Sequence, residues 1–329
     1  MSRGELKRLC VGAALLILTA AALIALGAVK NSFSGQFAAE RWQSADNRYA
    51  QLSCFIDTHE DCSESTIKSL ESSINKQMAS EAIDLSWTFC YSGDTTLSVS
   101  RGSNTVSARA ICTGGDFFMF NPPKMVSGWY YNDDSINGDG VVLDIQLAWK
   151  LFGGYDLTGM TVTINGHNCP VTGVAYPPEN SIEKKLYGDT PTIYVPYSLF
   201  SVTDTTAPSV TNFEAVLPNP VTNFAMGMLE KSVSFSEQGR ELKENTGRMG
   251  LIPGLKMLAE FGTRNQKTTA VYYPYWENAA RAGESWCTLL AALAVLFAIF
   301  PIVLAGIYLA KLIGLLKAAA IKQKNKIIG

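Results

Sequence analysis

Two long uncharged apolar runs, one near each end, restrict what this chain can become more than any other feature of its sequence. Leu9 to Val29 is 21 residues without a charge, and Trp286 to Ala310 is 25. At about 1.5 Å per residue, each is long enough to cross a hydrocarbon core about 30 Å thick as a helix. Arg3, Lys7 and Arg8 precede the first run; Lys311, Lys317, Lys322, Lys324 and Lys326 follow the second, with no acid after Glu284. The positive-inside rule then predicts that both termini are cytoplasmic and that residues 30–285 lie on the far side of the membrane. The expected division is a cytoplasmic N-terminus (1–8), a first span (9–29), an extracytoplasmic domain (30–285), a second span (286–310) and a basic cytoplasmic tail (311–329). Ala25 and Gly27 fit a small-residue cleavage rule, but the apolar core of a signal peptide runs about 7–15 residues, so the first run reads as an anchor.

Charge follows the same partition. Without the eight terminal cations and Glu5, the outer block carries a net charge of −9, which argues against nucleic acid or anionic lipid as its partner. Five cysteines fall in that block: Cys54, Cys62, Cys90, Cys112 and Cys169. Asn165-Gly166 is a strong two-residue hairpin signal that sets Val162 opposite Cys169 and Met160 opposite Val171, placing the Cys169 thiol on an apolar face. The other four allow three connectivities in an oxidising compartment. Nearness in sequence favours Cys54 with Cys62 and Cys90 with Cys112, the alternative being free buried thiols throughout.

Periodicity supplies the organisation. Phe37 to Ala45 reads as a helix continuing from the first span, and Tyr49 to Ile56 as a strand. A helix starts near Ser63 with Ile67, Leu70, Ile74 and Met78 as its apolar stripe, and a strand covers Leu85 to Tyr91. The order strand, helix returns late in the block. Asn212 to Leu217 is extended, and Asn219-Pro220 opens a helix whose stripe is Val221, Phe224, Met228 and Phe235. Between these half-units, about 110–200, short strands surround one short helix, capped by Asp144, faced by Leu147, Ala148, Leu151 and Phe152, and ended by Gly153-Gly154.

The residues of this middle section carry a resemblance. Phe117-Phe118, Val141-Val142-Leu143, Leu147-Ala148-Trp149-Lys150-Leu151-Phe152-Gly153, Gly159-Met160-Thr161-Val162 and Val171-Thr172-Gly173-Val174 resemble the MacB-type periplasmic core domain of ABC-transporter permeases. The motif match is specific over about 114–174, and the order of elements extends it over about 37–246. The resemblance implies an α+β extracytoplasmic domain between two transmembrane helices, with two porter-like βαβ lobes and an inserted β-rich lobe at about 110–200. It further implies a permease-like role in the bacterial plasma membrane, with a cytoplasmic ABC ATPase subunit, a second permease subunit and the lipid bilayer as partners. Permeases of that family have four membrane helices, the last three after the domain, whereas this sequence carries one there. A two-helix relative, or a transport path formed by another subunit, accommodates the difference. The other class of function is a two-pass scaffold or ligand sensor without transport.

Catalytic chemistry finds little purchase. There is no G-x-x-x-x-G-K-[ST], so ATP hydrolysis by a P-loop belongs to a partner. The two histidines, His59 and His167, stand in neither H-E-x-x-H nor G-x-S-x-G settings, and the chain reads as a non-enzyme without cofactor. Asp133 to Asp144 imitates a calcium loop, but position 9 is Val141 and position 12 is Asp144 in place of a bidentate Glu, so it reads as a polar turn before a core strand. His59 with Cys54 and Cys62 is a weak metal set. Tyr272, Tyr273, Tyr275, Trp276 and Trp286 read as headgroup anchors of the second span. Ala14, Ala21, Ala25 and Ala28 on one span, and Ala291, Ala294, Ala298 and Ala305 on the other, offer small-residue seams. In the tail, Ile313, Leu316 and Ala320 form an apolar stripe beside Lys317 that suits a groove on a cytoplasmic partner.

Overall fold

A computed structural model describes residues 3–42, 47–131, 138–259 and 271–328. The chain divides into two compact units. One comprises Met1–Asn31, Met249–Asn265 and Gly283–Gly329; the other comprises Ser32–Arg248 and Gln266–Ala282. In chain order the elements are α1 (Arg3–Asn31), α2 (Ala38–Trp42), β1 (Tyr49–Ile56), α3 (Glu64–Ser80), β2 (Thr88–Arg101), β3 (Asn104–Gly115), α4 (Phe117–Phe120), β4 (Met125–Gly128) and β5 (Val141–Asp144). There follow α5 (Ile145–Phe152), β6 (Thr161–Ile164), β7 (His167–Ala175), α6 (Ser181–Tyr187), β8 (Thr192–Pro196), α7 (Ser198–Val202), β9 (Asn212–Pro218), α8 (Phe224–Ser232), β10 (Arg240–Glu244), α9 (Leu251–Ala259) and α10 (Tyr275–Ile328).

The larger unit is a mixed α/β domain built on one ten-stranded sheet, in the order β10-β1-β9-β2-β3-β8-β5-β7-β4, with β6 pairing β2 and β7. The β3–β8 and β5–β7 pairs are parallel and the others antiparallel. A core lies on each face. Helices α3, α5 and α8 cover the first, where the predicted stripe Ile67, Leu70, Ile74 and Met78 is buried with Ala225, Met228 and Leu229. Each such aliphatic side chain taken fully from water stabilises by about 1.5–3 kcal/mol. Ser63 and Thr66 close the start of α3 as a capping box. Asp144 caps α5 by accepting from the Leu147 N–H at 2.7 Å, and Gly153 ends it in the left-handed region at φ 70°. The hairpin at Asn165-Gly166, with φ 51° and 81°, pairs Val162 with Cys169.

Several expected boundaries move. The strand expected over Leu85 to Tyr91 begins at Thr88 and runs on to Arg101 as β2, with Ser92 to Thr96 paired residue by residue with Arg109 to Thr113 of β3. Gly93 is there for space: a Cβ on it would meet the Ser209 carbonyl and the Tyr197 hydroxyl at 2.4 Å. The turn falls at Gly102-Ser103 instead, with Arg101 facing Asn104. Helix α8 begins at Phe224, leaving Val221 67% exposed, because Asn219 accepts from the Ala225 N–H at 3.3 Å and the chain reaches that point through a positive φ at Asn223. The helix expected over Phe37 to Ala45 is a 3-10 turn at Ser34–Phe37 followed by α2, and residues 43–46 lie outside those described. Among the described residues the middle section holds four short helices, α4 to α7, where one was expected.

The smaller unit is helical. Among the described residues two helices are long and apolar enough to cross a membrane, Arg3–Asn31 and Tyr275–Ile321. Gly12 of α1 lets Leu304 and Phe300 of α10 approach, a Cβ at Gly12 falling 3.1 Å from Leu304 Cδ2. The buried positions on α1 are Gly12, Ala22 and Leu26, so the packed side is rotated from the expected alanines, of which Ala14, Ala21 and Ala28 are exposed. On α10, Ala291 and Ala294 are buried, Ala298 is half-buried and Ala305 is exposed.

Candidate coupling site

The second face of the sheet carries polar groups where a core strand would ordinarily carry aliphatics. On β1, Ala50, Leu52, Cys54 and Ile56 enter the core beneath α3 and α8, so by strand alternation Gln51, Ser53 and Phe55 point the other way. On β9, Phe213, Ala215 and Leu217 enter that core, which turns Asn212, Glu214 and Val216 to the second face. All eight residues of β1 are buried nonetheless. What buries the polar ones is the segment 271–282, including the first two turns of α10, together with the stretch around Gln36 and Asn245.

Hydrogen bonds account for this cover. Gln51 accepts from the Ala38 N–H at 2.9 Å and donates to the Gly35 carbonyl at 2.7 Å. Asn245 donates to Ser53 Oγ at 2.8 Å. Glu214 Oε1 accepts from Trp276 Nε1 at 3.0 Å, Asn212 Nδ2 at 2.9 Å and Asn121 Nδ2 at 3.2 Å. Burial raises the Glu214 pKa, and these three donors only partly offset it.

An ion network holds the same segment. Arg248 and Glu277, with side chains 3% and 1% exposed, meet through two bonds of 2.6 and 3.0 Å. Arg281 Nε reaches Glu277 at 2.7 Å, one helical turn on, while its Nη2 reaches Glu241 of β10 at 2.6 Å. Tyr273 donates to the other Glu241 oxygen at 2.6 Å, lies under the Arg281 guanidinium at 3.9 Å and packs edge-on against Phe55 at 5.2 Å. Fork-on-carboxylate bonds of this kind are short, directional and strong. Tyr272 adds a bond of 2.5 Å to Asp94 in the middle of β2, and burial raises the Asp94 pKa. Tyr275 meets Tyr187 edge-on at 5.1 Å, with the Arg109 guanidinium 4.6 Å from the Tyr187 ring. Four aromatics expected at the headgroups, Tyr272, Tyr273, Tyr275 and Trp276, thus belong to the domain, since each finds a ring or carboxylate partner on the sheet side. Trp286 is 53% exposed in the helical unit.

The remaining predicted residues are distributed as follows. All seven cysteines are free thiols. The Cys90–Cys112 pairing is corrected: Cys90 packs in the core on the second face and Cys112 in the core on the first, so the sheet separates their sulfurs. Cys54 and Cys62 share the first core, and burial pushes both thiols up to about 12. Cys169 is buried in the same core as an apolar side chain. His59 is exposed and bonds Asp57 at 2.7 Å, so it does not join Cys54 and Cys62, which are buried. No group of three metal-ligating side chains occurs among the described residues. The calcium-like turn lies outside them over 133–137, and Asp144 at its end serves as the α5 cap. Ile313, Leu316, Lys317 and Ala320 are all exposed on the final turns of α10, as is every residue from Lys311 to Ile321. Sequence reasoning missed the Arg248–Glu277–Arg281–Glu241 network, for which the Glu277/Arg281 spacing of four was the one local signal.

Fold and site together define a mixed α/β domain flanked by two membrane-length helices, with the beginning of the second helix fastened into the domain. The family model of the MacB-like periplasmic core domain matches residues 13–233, and the chain belongs to that family. No curated protein matches the sequence. Among solved structures, the chain is similar to the periplasmic region of MacB from Actinobacillus actinomycetemcomitans, at 15% identity and a TM-score of 0.45, covering 66% of this chain and 94% of that one. It is also similar to the extracellular domain of the noncanonic ABC-type transporter YknZ from Gram-positive bacteria, at 13% identity and a TM-score of 0.40, covering 59% and 99%.

Proposed function

We propose that the chain is a permease-like subunit of an ABC transport system, embedded in the bacterial plasma membrane with both termini cytoplasmic and the α/β domain outside. Its partners on this reading are a cytoplasmic ATPase subunit, a second permease subunit and the bilayer. Family membership supports the class. The observation that carries the mechanism is the clamp on α10, whose residues Tyr275–Ala282 are tied to β9 and β10 by the Arg248–Glu277–Arg281–Glu241 network and by Trp276 on Glu214. A helix anchored this way passes displacement at its far end to the sheet, because stretching its backbone breaks hydrogen bonds whereas moving it as a rod does not. ATP-driven movement of the partner would reach the outer domain through α10, and the Ile313, Leu316, Lys317 and Ala320 stretch is the place for the partner to hold. Co-purification in mild detergent followed by ATPase assay, with and without this chain, tests the reading. An associated ATPase whose activity depends on the chain is expected. If none accompanies it, or if deleting residues 317–329 changes neither association nor activity, the two-pass scaffold takes its place.

A further inference from the structure

We propose that α9 is a third membrane-associated element, lying in the boundary between headgroups and acyl chains with its free side in lipid. The inference rests on the reading of α10 as a membrane span and goes beyond it. Helix α9 has the sequence Leu251-Ile252-Pro253-Gly254-Leu255-Lys256-Met257-Leu258-Ala259, with a single charge. Gly254 is its contact side: a Cβ there would lie 3.1 Å from the Cys287 carbonyl and 3.2 Å from Ala291 Cβ, so the two helices meet almost backbone to backbone. The other side is unlike a soluble surface. Ile252 is 67% exposed and Leu258 49%, with Leu251 exposed and Leu255 half-buried on the same arc, while Lys256 stands at its margin.

The position along α10 identifies the occupant. Cys287 and Ala291 are the second and sixth residues of the uncharged run that begins at Trp286. Contact there sets α9 beside the first about 7 Å of the run, within the about 5–10 Å depth to which interfacial helices bury their apolar face. On α10 itself Leu289 and Leu296, on the side turned away from α9, are exposed as well. One lysine at the edge of an apolar arc can extend to the headgroups while its stem stays in lipid. A bilayer therefore satisfies the whole free side, whereas water would leave it as an apolar patch.

Site-directed spin labelling of the full chain in phosphatidylcholine vesicles tests this. Cysteines are introduced singly as Ile252→Cys, Lys256→Cys and Ile302→Cys in a Cys10→Ala background, Cys10 being the exposed native thiol. The background protein provides the blank. Power saturation is measured with oxygen, which partitions into lipid, and with a nickel chelate, which stays in water. The expected result is that oxygen dominates at 252 and 302, with the shallower depth at 252, and that nickel access rises at 256. Nickel dominance at 252 with oxygen dominance at 302 overturns the inference and leaves the span intact. Exclusion of both reagents at 252 also overturns it, by showing protein on that face. Nickel dominance at 302 overturns the membrane reading of α10 and this inference with it.

Discussion

Cutting the clamp at Arg248 is the sharpest trial of the site. In Arg248→Met the side-chain volume is roughly kept and the charge removed from a place where it is 3% exposed. Removing one partner of a buried ion pair costs about 3–5 kcal/mol, most of it from the charge left behind. Glu277 retains Arg281 Nε at 2.7 Å, so the lower end applies, about 3 kcal/mol. Glu277→Gln strands two guanidiniums. Arg248 keeps Gln36 and Asn245, and Arg281 keeps Glu241, which places that variant in the same range. The double variant Arg248→Met/Glu277→Gln should cost less than the two single changes together, since neither member of that pair is then left as a charge without the other. Hydrogen exchange with mass spectrometry on the full chain in detergent reads the effect locally. About 3 kcal/mol corresponds to exchange about a hundredfold faster in peptides covering 240–248 and 271–282, with peptides of β3 and β8 far less affected. Single-variant effects under about 1 kcal/mol, the value usual for surface pairs, would falsify the clamp.

Two further outcomes follow from individual groups. Burial raises the Asp144 carboxyl from 3.8 to about 6, so its stabilising contribution is full below pH 4 and is lost as pH rises through 6, a change on the order of 3 kcal/mol. Asp144→Asn keeps an oxygen for the Leu147 N–H, so thermal melts of the two proteins should converge in acid and separate in favour of the variant toward pH 7; a pH-independent difference would sink the assignment. Alkylation in denaturant without reductant should label Cys90 and Cys112 fully, since the sheet divides them, and label Cys54 and Cys62 as well if they are free as the structure has them. Protection confined to Cys54 and Cys62 would reveal the one expected bridge the fold still permits, and protection of Cys90 with Cys112 would contradict the register of β2 on β3.

What the sequence makes legible is whatever depends on neighbours within a few residues. The α3 stripe, the Asp144 cap, the left-handed Gly153 and the hairpin at Asn165-Gly166 are each set by spacing of four or less, and the structure has them where the pattern put them. The failures are long-range. Gly93-Asp94-Thr95 has turn chemistry, yet the glycine answers to Ser209 and Tyr197, and Asp94 to Tyr272, 178 residues away. Asn219-Pro220 has the look of a helix start, but the Asn219 side chain caps the Ala225 N–H six residues further on. The aromatics at 272–276 satisfy a headgroup pattern and a buried-cover pattern equally well. Only the positions of Glu214, Asp94 and Phe55 on the sheet distinguish the two.

The polar character of the second face has a mechanical consequence. An alternating strand such as Tyr49–Ile56 would normally show its Gln51 and Ser53 side to water, and here Gln51 is sealed by Gly35 and Ala38, Ser53 by Asn245, and the neighbouring Glu214 of β9 by Trp276 of the segment that begins α10. Sealing such a face gains less from apolar burial than sealing an aliphatic one, and its strength comes from bonds to Glu214, Glu241 and Glu277 that have direction. If residues 271–282 shift, water can solvate the uncovered Glu214, so the cost of opening is limited to the pairings lost. An aliphatic cover would instead charge the full apolar area on every excursion and would tend to aggregate when open. The first face, packed with Ile67, Leu70, Ile74 and Met78 against Phe213, Ala215 and Leu217, has that unyielding character. The sheet is therefore rigidly held from one side and directionally but reversibly held from the other, and the reversible side is the one occupied by the start of the membrane-length helix.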